Sequence, residues 1–297
     1  MSITVAPVGN SRILSVGTYR PKRVVPNSEI VDRIDSTDEW IVQRTGIESR
    51  RFAGDDETVI SMAKAACEIA LKRAKLTIAD IDTVILSTIS YPFQAPSAAT
   101  ELINELGNPK AAAFDISAAC AGFCYGVAMG SDLVRSGTSK NVLVIGVEKL
   151  SDYTDPDDRA TAFIFADGAG AVVIGQSDQP RIGQTIWGSD ADSRDAITLT
   201  PSFLDFKKNP DKGVGELGWP NISQQGQVVF RWAVYSMSKV GLQALEAAGV
   251  TVDELGAFIP HQANIRIIET MAKEMKIPDS VLIADDIRTN GNTSAAS

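Results

Sequence analysis

Apolar and polar positions switch between two periods along the whole chain. Continuous apolar runs at residues 83–86, 112–116, 142–147 and 169–174 predict strands covered on both faces. Around them, apolar residues at helical spacing predict helices at 58–74, 97–106, 121–136 and 228–248. Gly107, Gly137 and Gly249 stand where three of these should stop. A shorter helix carrying Trp40 is announced by Ser36, Thr37, Asp38 and Glu39 and closed by Gly46. Residues 201–220, rich in Gly, Pro, Lys and Asp without a period, predict a surface excursion. Strands alternating with helices predict an α/β fold.

The pattern also repeats. Ala70-Leu71, Ala74, Thr77-Ile78, Asp80-Ile81 and Val84-Ile85 recur at constant spacing as Ala244-Leu245, Ala248, Thr251-Val252, Glu254-Leu255 and Phe258-Ile259. A second match sets Asp115-Ile116 beside Asp286-Ile287, so the loop reaching Cys120 answers the loop reaching Asn292. The chain therefore reads as a duplication, with one half at 1–176 holding Cys120 and another at 177–297 holding His261 and Asn292. Past Cys120 the first half continues with a helix and two strands, whereas the second half stops at Ser297. It is expected to be truncated, because a half-finished sheet would leave a long strand edge bare.

Composition narrows the chemistry. With 297 residues, 44% hydrophobic and 22% charged, the chain is a globular protein large enough for one extended core or two domains. Its apolar runs are too short to cross a bilayer, and its first 15 residues lack a basic segment followed by an apolar one, so a cytoplasmic protein is expected. A formal charge of -9, from 28 basic and 37 acidic residues, disfavours nucleic acid as the main partner. The cysteines Cys67, Cys120 and Cys124 are too few and too irregularly spaced for a disulfide framework or structural zinc. A single histidine, His261, leaves no means of building a His-rich metal site.

Cys120 follows the predicted strand at 112–116, where a turn of small residues opens a helix. A sulfur at a helix N-terminus meets free N–H groups and the positive end of the dipole, which favour the thiolate. Cys67 and Cys124 lie inside helical periods and read as core residues. His261 ends the strand that repeats 84–86, and Asn292, after Gly291, ends the next unit. All three lie on loops after strand ends, the usual place for sites in open α/β sheets. Cys, His and Asn fit two chemistries. In a cysteine hydrolase, Asn orients a His base; in a condensing enzyme, both donate to the thioester oxygen of a second substrate. Spacing leaves both open.

Five motifs lie in order over the chain: Asp38-Glu39-Trp40-Ile41, Ala118-Ala119-Cys120-Ala121-Gly122-Phe123, Phe165-Ala166-Asp167-Gly168-Ala169-Gly170-Ala171, His261-Gln262-Ala263-Asn264 and Gly291-Asn292-Thr293-Ser294-Ala295-Ala296-Ser297. In these the sequence resembles the beta-ketoacyl-acyl carrier protein synthase III family, most closely in wording the actinobacterial members or their polyketide-starter relatives. The resemblance implies a thiolase-like, duplicated, five-layered αβαβα fold and a homodimer. It implies an acyltransferase that starts fatty acid biosynthesis by decarboxylative Claisen condensation. Cys120 would take the acyl group from an acyl-CoA primer. His261 and Asn292 would promote decarboxylation of malonyl-acyl carrier protein and hold the enolate oxygen, giving 3-oxoacyl-acyl carrier protein.

Further roles come only with the resemblance. Trp40 matches the residue that stacks on the CoA adenine, Arg159 its opposing guanidinium and Arg44 a phosphate contact, while Gln227, Ala263 and Asn264 match the pantetheine tunnel. Phe93 and Ala95 match the loop that shapes the acyl pocket across the dimer. Gln262, Arg231 and Arg266, with Lys239 nearby, match the docking surface for the acidic carrier. No metal or redox cofactor is implied: coenzyme A enters as part of the substrate, and phosphopantetheine arrives on the carrier. A glycine-rich loop that completes the oxyanion hole is expected after Ser297, and without it the chain is expected to be inactive. Gln227 replaces an Asn of better-known members. Ala95 replaces a bulky aromatic of some acetyl-preferring ones, which favours a longer or branched primer.

Other readings make different demands. A thiolase needs a second catalytic cysteine where Asn292 stands, and a plant-type polyketide synthase extends free malonyl-CoA repeatedly. A polyketide starter-unit enzyme shares the chemistry. A non-catalytic acyl-CoA-binding module would tolerate Cys120→Ala.

Overall fold

The computed structural model describes residues 8–297, and the longest apolar runs lie at its centre. In chain order, β1 (Asn10–Tyr19), β2 (Arg23–Pro26), α1 (Asp38–Thr45) and β3 (Ser49–Phe52) precede the long helix α2 (Val59–Ala74). Then come β4 (Thr83–Ser87), α3 (Ala98–Leu106), β5 (Ala112–Ile116), α4 (Gly122–Arg135), β6 (Asn141–Lys149) and β7 (Asp167–Ser177). The rest comprises β8 (Ile197–Thr200), α5 (Phe203–Lys208), α6 (Val214–Leu217), β9 (Asn221–Gln224), α7 (Gly226–Ala248), β10 (Ala257–Phe258), α8 (Ile265–Glu274), β11 (Leu282–Ile283) and α9 (Ile287–Asn290).

Five strands form a mixed sheet in the order β1-β7-β6-β4-β5, with β4, β5 and β6 parallel and β7 antiparallel to both neighbours. Alternation along β6 sends Leu143, Ile145 and Val147 to the face covered by α2 and α3, and Val142 and Val144 to the face covered by α4. Each fully buried Leu or Ile there contributes about 1.5–3 kcal/mol. The predicted helices are closed as their sequences suggest: Thr37 caps α1 and Gly46 ends it in the left-handed region, and Thr58 and Ser61 form a capping box on α2. The strand β1 went unread, because a bulge between Ile13 and Ser15 breaks its alternation.

The repeated sequence folds into the same local unit twice. Each of α2 and α7 ends in a turn whose Thr is gripped by an acid three residues on, Thr77 by Asp80 and Thr251 by Glu254. Each turn then enters a strand of a parallel pair, β4 with β5 and β10 with β11. Register corrects the second match by one residue: Val84 faces Ala113 and Phe258 faces Ile283, so Asp115-Ile116 answers Asp285-Asp286. Ile287 instead opens α9.

Two other expectations change. The parallel sheet of the second half has two strands among the described residues, where the mixed sheet of the first has five, so the halves do not match strand for strand. The second half, read as truncated, is ordered through the described residues, and its final turn, Ser294–Ala296, is buried against β6. The excursion at 201–220 is exposed as expected but ordered. The hairpin β8–β9 carries α5 and α6, and α5 is started by the Ser202–Asp205 capping box.

Candidate active site

Cys120 is placed by a close contact between helix and sheet. Gly122, Gly126 and Gly130 lie one turn apart on the face of α4 that meets the strands. A Cβ at these positions would lie 1.7 Å from Ser87 Oγ, 2.7 Å from Val144 Cγ1 and 3.0 Å from Ile174 Cδ1. The helix therefore sits nearer the sheet than any side chain would allow, and its first turn reaches the ends of β4 and β5. Asp115, near the end of β5, accepts Ala98 N at 2.7 Å and Ala99 N at 2.8 Å, which pins that end to α3. Between β5 and α4 the chain makes a 3-10 turn, Ala119–Ala121, with Ala119 at φ +45°. A non-glycine residue there is strained, as beside nucleophiles on other strand-to-helix turns.

The last turn brings the other two groups to the sulfur. Asn292 bridges Phe165 in parallel, donating its N–H to Ile164 O and accepting from Ala166 N, both at 2.9 Å. Gly291, at φ +70°, is required, since a Cβ would meet Ala166 Cβ and Arg50 Cβ within 3 Å. Asn292 is 5% exposed, and its Oδ1 accepts Ser294 N at 2.9 Å, which leaves Nδ2 without a partner among the described residues. His261 Nδ1 donates to Ser297 O at 2.9 Å. Its Nε2 is buried, has no nitrogen or oxygen partner, and is left to the thiol of Cys120. His261 is thus oriented by a backbone carbonyl, and Asn292 by the turn that follows it.

Burial opposes charge on both Cys120 and His261, but their mutual attraction prevails. The Cys120 thiol is held below its ordinary value by the imidazole and the Ser294 hydroxyl, and His261 is held above its own by the thiolate and Ser297 O. Because Nδ1 spends its proton on a carbonyl, Nε2 can donate only in the imidazolium, the form this pairing favours. Burial raises the Cys67 thiol. Cys67 is core as expected, whereas Cys124 lies exposed on the first turn of α4, on the side away from the sheet.

The family model 3-oxoacyl-[acyl-carrier-protein (ACP)] synthase III matches residues 114–191, and that of its C-terminal region matches residues 245–297. Beta-ketoacyl-[acyl-carrier-protein] synthase III 1 of Streptomyces coelicolor is 53% identical over 97% of this chain and 85% of its own length. The chain belongs to the beta-ketoacyl-[acyl-carrier-protein] synthase III family. The Mycobacteroides abscessus synthase III is 48% identical over 96% of this chain and 83% of its own. Among solved structures, the priming beta-ketosynthase of the R1128 polyketide pathway superposes with a TM-score of 0.96 at 42% identity, covering all of this chain and 87% of the other. The synthase III of Aquifex aeolicus gives 0.81 at 38%, covering 97% and 88%.

Trp40 packs its ring against the edge of Phe163 at 5.4 Å, and the guanidinium carbons of Arg44 and Arg159 lie 5.6 and 5.5 Å from its centre. The Trp40 ring thus lies among Phe163 and two guanidinium groups. Asn264 serves the scaffold: it caps α8 through Arg266 N at 2.9 Å and donates to Arg44 O at 3.0 Å. Ala263 is half-buried in the turn after His261, and Gln227 is exposed at the start of α7. Phe93 is 63% exposed, and Ala95 is exposed on the same loop.

One docking residue is overturned. Gln262 is 4% exposed, bonding Pro260 O, Ala284 O and Ile287 N, so it cannot meet a carrier. Arg231, Arg266 and Lys239 are exposed, with Arg266 over the ring of Phe230 at 5.7 Å. Sequence reasoning passed over Glu148 and Ser294. For Glu148 the signal is its place directly after the apolar run at 142–147, where the same strand continues. Among the described residues no three His, Cys, Asp or Glu side chains gather as a metal site would, and no helix is long and apolar enough to cross a membrane.

Proposed function

We propose that Cys120, His261 and Asn292 carry out the condensation that defines this family, with an acyl-CoA and malonyl-acyl carrier protein as substrates. The observation that carries the assignment is the separate anchoring of His261 and Asn292. A hydrolytic triad needs Asn on His. Here Asn292 Oδ1 is taken by Ser294 and His261 Nδ1 by Ser297, so Nε2 and Nδ2 remain as two donors for one substrate oxygen. The Cys120 thiolate attacks the acyl-CoA carbonyl, the bond to the CoA sulfur breaks, and the acyl group stays on Cys120. The malonyl thioester then sets its oxygen between His261 and Asn292. Carbon dioxide leaves, the carbanion attacks the acyl-Cys120 carbonyl, and the 3-oxoacyl carrier departs as the thiolate re-forms. A thiolase is disfavoured, since Cys67 is in the core and Cys124 on the surface.

The same reading assigns Trp40, Arg159 and Arg44 to the CoA nucleotide, Ala263, Asn264 and Gln227 to the pantetheine side, and Arg231 and Arg266 to the carrier. It needs no metal or redox cofactor and places the protein in the cytoplasm. It includes the duplicated five-layered architecture, with halves at 1–176 and 177–297, and a homodimer. In support of the dimer, β5 is an edge strand of partly covered residues, and the neighbouring loop exposes Phe93; both are features a second copy would cover. A polyketide-priming role is the second reading, favoured by the likeness to the R1128 ketosynthase; it changes the fate of the product and leaves the chemistry unchanged.

Intact mass after incubation with acetyl-, isobutyryl- and longer acyl-CoAs tests the assignment. An acyl adduct absent from Cys120→Ala and discharged by malonyl-acyl carrier protein is expected, and its yield ranks the primers. No adduct from any thioester on the folded protein would refute the nucleophile role of Cys120.

A further inference from the structure

Glu148 is the one acid on β6, 0% exposed, with no basic partner among the described residues. Its Oε2 accepts four donors: Thr88 Oγ1 at 3.0 Å, Ile89 N at 3.0 Å, Ser90 N at 3.1 Å and Ser90 Oγ at 2.6 Å. Its Oε1 accepts only Ile89 N, at 3.2 Å. Residues 88–90 are therefore wrapped around one carboxylate, and the chain leaves them directly into the loop of Tyr91, Phe93 and Ala95. Ser90 Oγ also accepts Lys149 N at 2.8 Å, which closes the ring back onto β6.

The Ser294 hydroxyl is buried without a partner at bonding distance, close enough to act on both the Glu148 carboxylate and the Cys120 sulfur. Ser294 is held there at φ +49°, a strained position for a residue with a side chain. A buried hydroxyl between an anion and a thiolate has one proton to give and two acceptors that want it.

We infer that Glu148 is a positioning residue of the condensation: it fixes the turn from which the primer-pocket loop springs and, through Ser294, sets the Cys120 sulfur. Burial raises the carboxyl to about 7 against hydrogen bonds from Ser90, Ile89, Thr88 and Ser294, so its charge near neutrality opposes the thiolate. The other ionisable groups within its reach are Tyr153, from the turn after β6, and His261 beyond Cys120.

This inference rests on the role proposed for Cys120, and the test separates the two. The pH dependence of Cys120 alkylation by iodoacetamide, and the ratio of acetyl- to isobutyryl-CoA loading by intact mass, are measured for the wild type, Glu148→Gln, Ser294→Ala and Ser90→Ala. Loss of the nearby charge in Glu148→Gln is expected to lower the alkylation midpoint by about 0.5 pH unit or more, and loss of the donor in Ser294→Ala to raise it by a similar amount. The loading ratio is expected to change at least about threefold in Glu148→Gln and Ser90→Ala and to hold in Ser294→Ala, a split that general loosening would not produce. Coincident midpoints, or an unchanged ratio in Glu148→Gln and Ser90→Ala, would overturn it. If Glu148→Gln does not fold, the other two variants decide. Absence of loading in the wild type would instead sink the role of Cys120, while the midpoints would still judge Glu148.

Discussion

Gly146 lies midway along β6, directly beneath the final turn. A Cβ there would sit 1.9 Å from Ala295 O, 2.5 Å from Ala295 C and 3.1 Å from Ala296 N. Ordinary contact begins at 3.4 Å, so Gly146→Ala must lift the turn by about 1.5 Å or push β6 back by as much. The strand is bonded on both sides, and the turn is the softer partner. Lifting it carries Ser297 O away from His261 Nδ1, stretching a 2.9 Å bond beyond useful length, and shifts Asn292 in the same motion. Overpacking of this size costs about 1–3 kcal/mol and lowers the melting midpoint by about 2–10 °C. Misplacing two of three reacting groups by more than 1 Å should lower condensation turnover about 100-fold or more. Gly170, paired with Gly146 across β7, is the control: its Cβ would lie 3.5 Å from Ala296 O, an ordinary contact, so Gly170→Ala should leave turnover within about twofold. Circular dichroism melts and steady-state condensation on both variants decide the matter. Equal turnover in Gly146→Ala and Gly170→Ala, with both folded, would refute the claim that the turn's seat on β6 sets the site.

Three other outcomes are expected. Cys120 is held below the ordinary thiol range by His261, so its alkylation should stay fast at pH values where an ordinary thiol is protonated; His261→Ala removes the attraction, leaves the burial, and should move the midpoint to higher pH in a rate-against-pH profile. Trp40→Ala should raise KM for acyl-CoA roughly 2- to 30-fold with kcat nearly unchanged, and a fall in kcat alone would show that Trp40 acts through the fold. Reversing Arg231 or Arg266 to Glu should lower turnover with the carrier substrate and spare acyl loading, and equal losses in both steps would count against a docking role.

Much of this protein is local, and what is local was legible in the chain. Strands buried on both faces announce themselves as unbroken apolar runs, and helix ends as capping residues, because burial and backbone bonding act on neighbours in sequence. The repeat of helix, capped turn and strand was readable for the same reason, as were Cys120 and His261 after strands, whereas Asn292 follows the short helix α9 and not a strand. Other features depend on residues far apart in the chain. That Asn292 does not touch His261 follows from Ser297 and Ser294 having claimed them first, and that turn is seated by a glycine on β6 some 150 residues earlier. Gln262, beside His261 in the same motif, looks as available as Arg266 until its three backbone partners are seen. Glu148 reads as an anomaly after an apolar run. Only the folding of residues 88–90 around its carboxylate, with Ser294 close by, turns that anomaly into a hub. Spacing determined which groups stand at the ends of strands; packing decided which of them remain free to act, since a hydrogen-bonding group already satisfied by the scaffold has little left for a substrate.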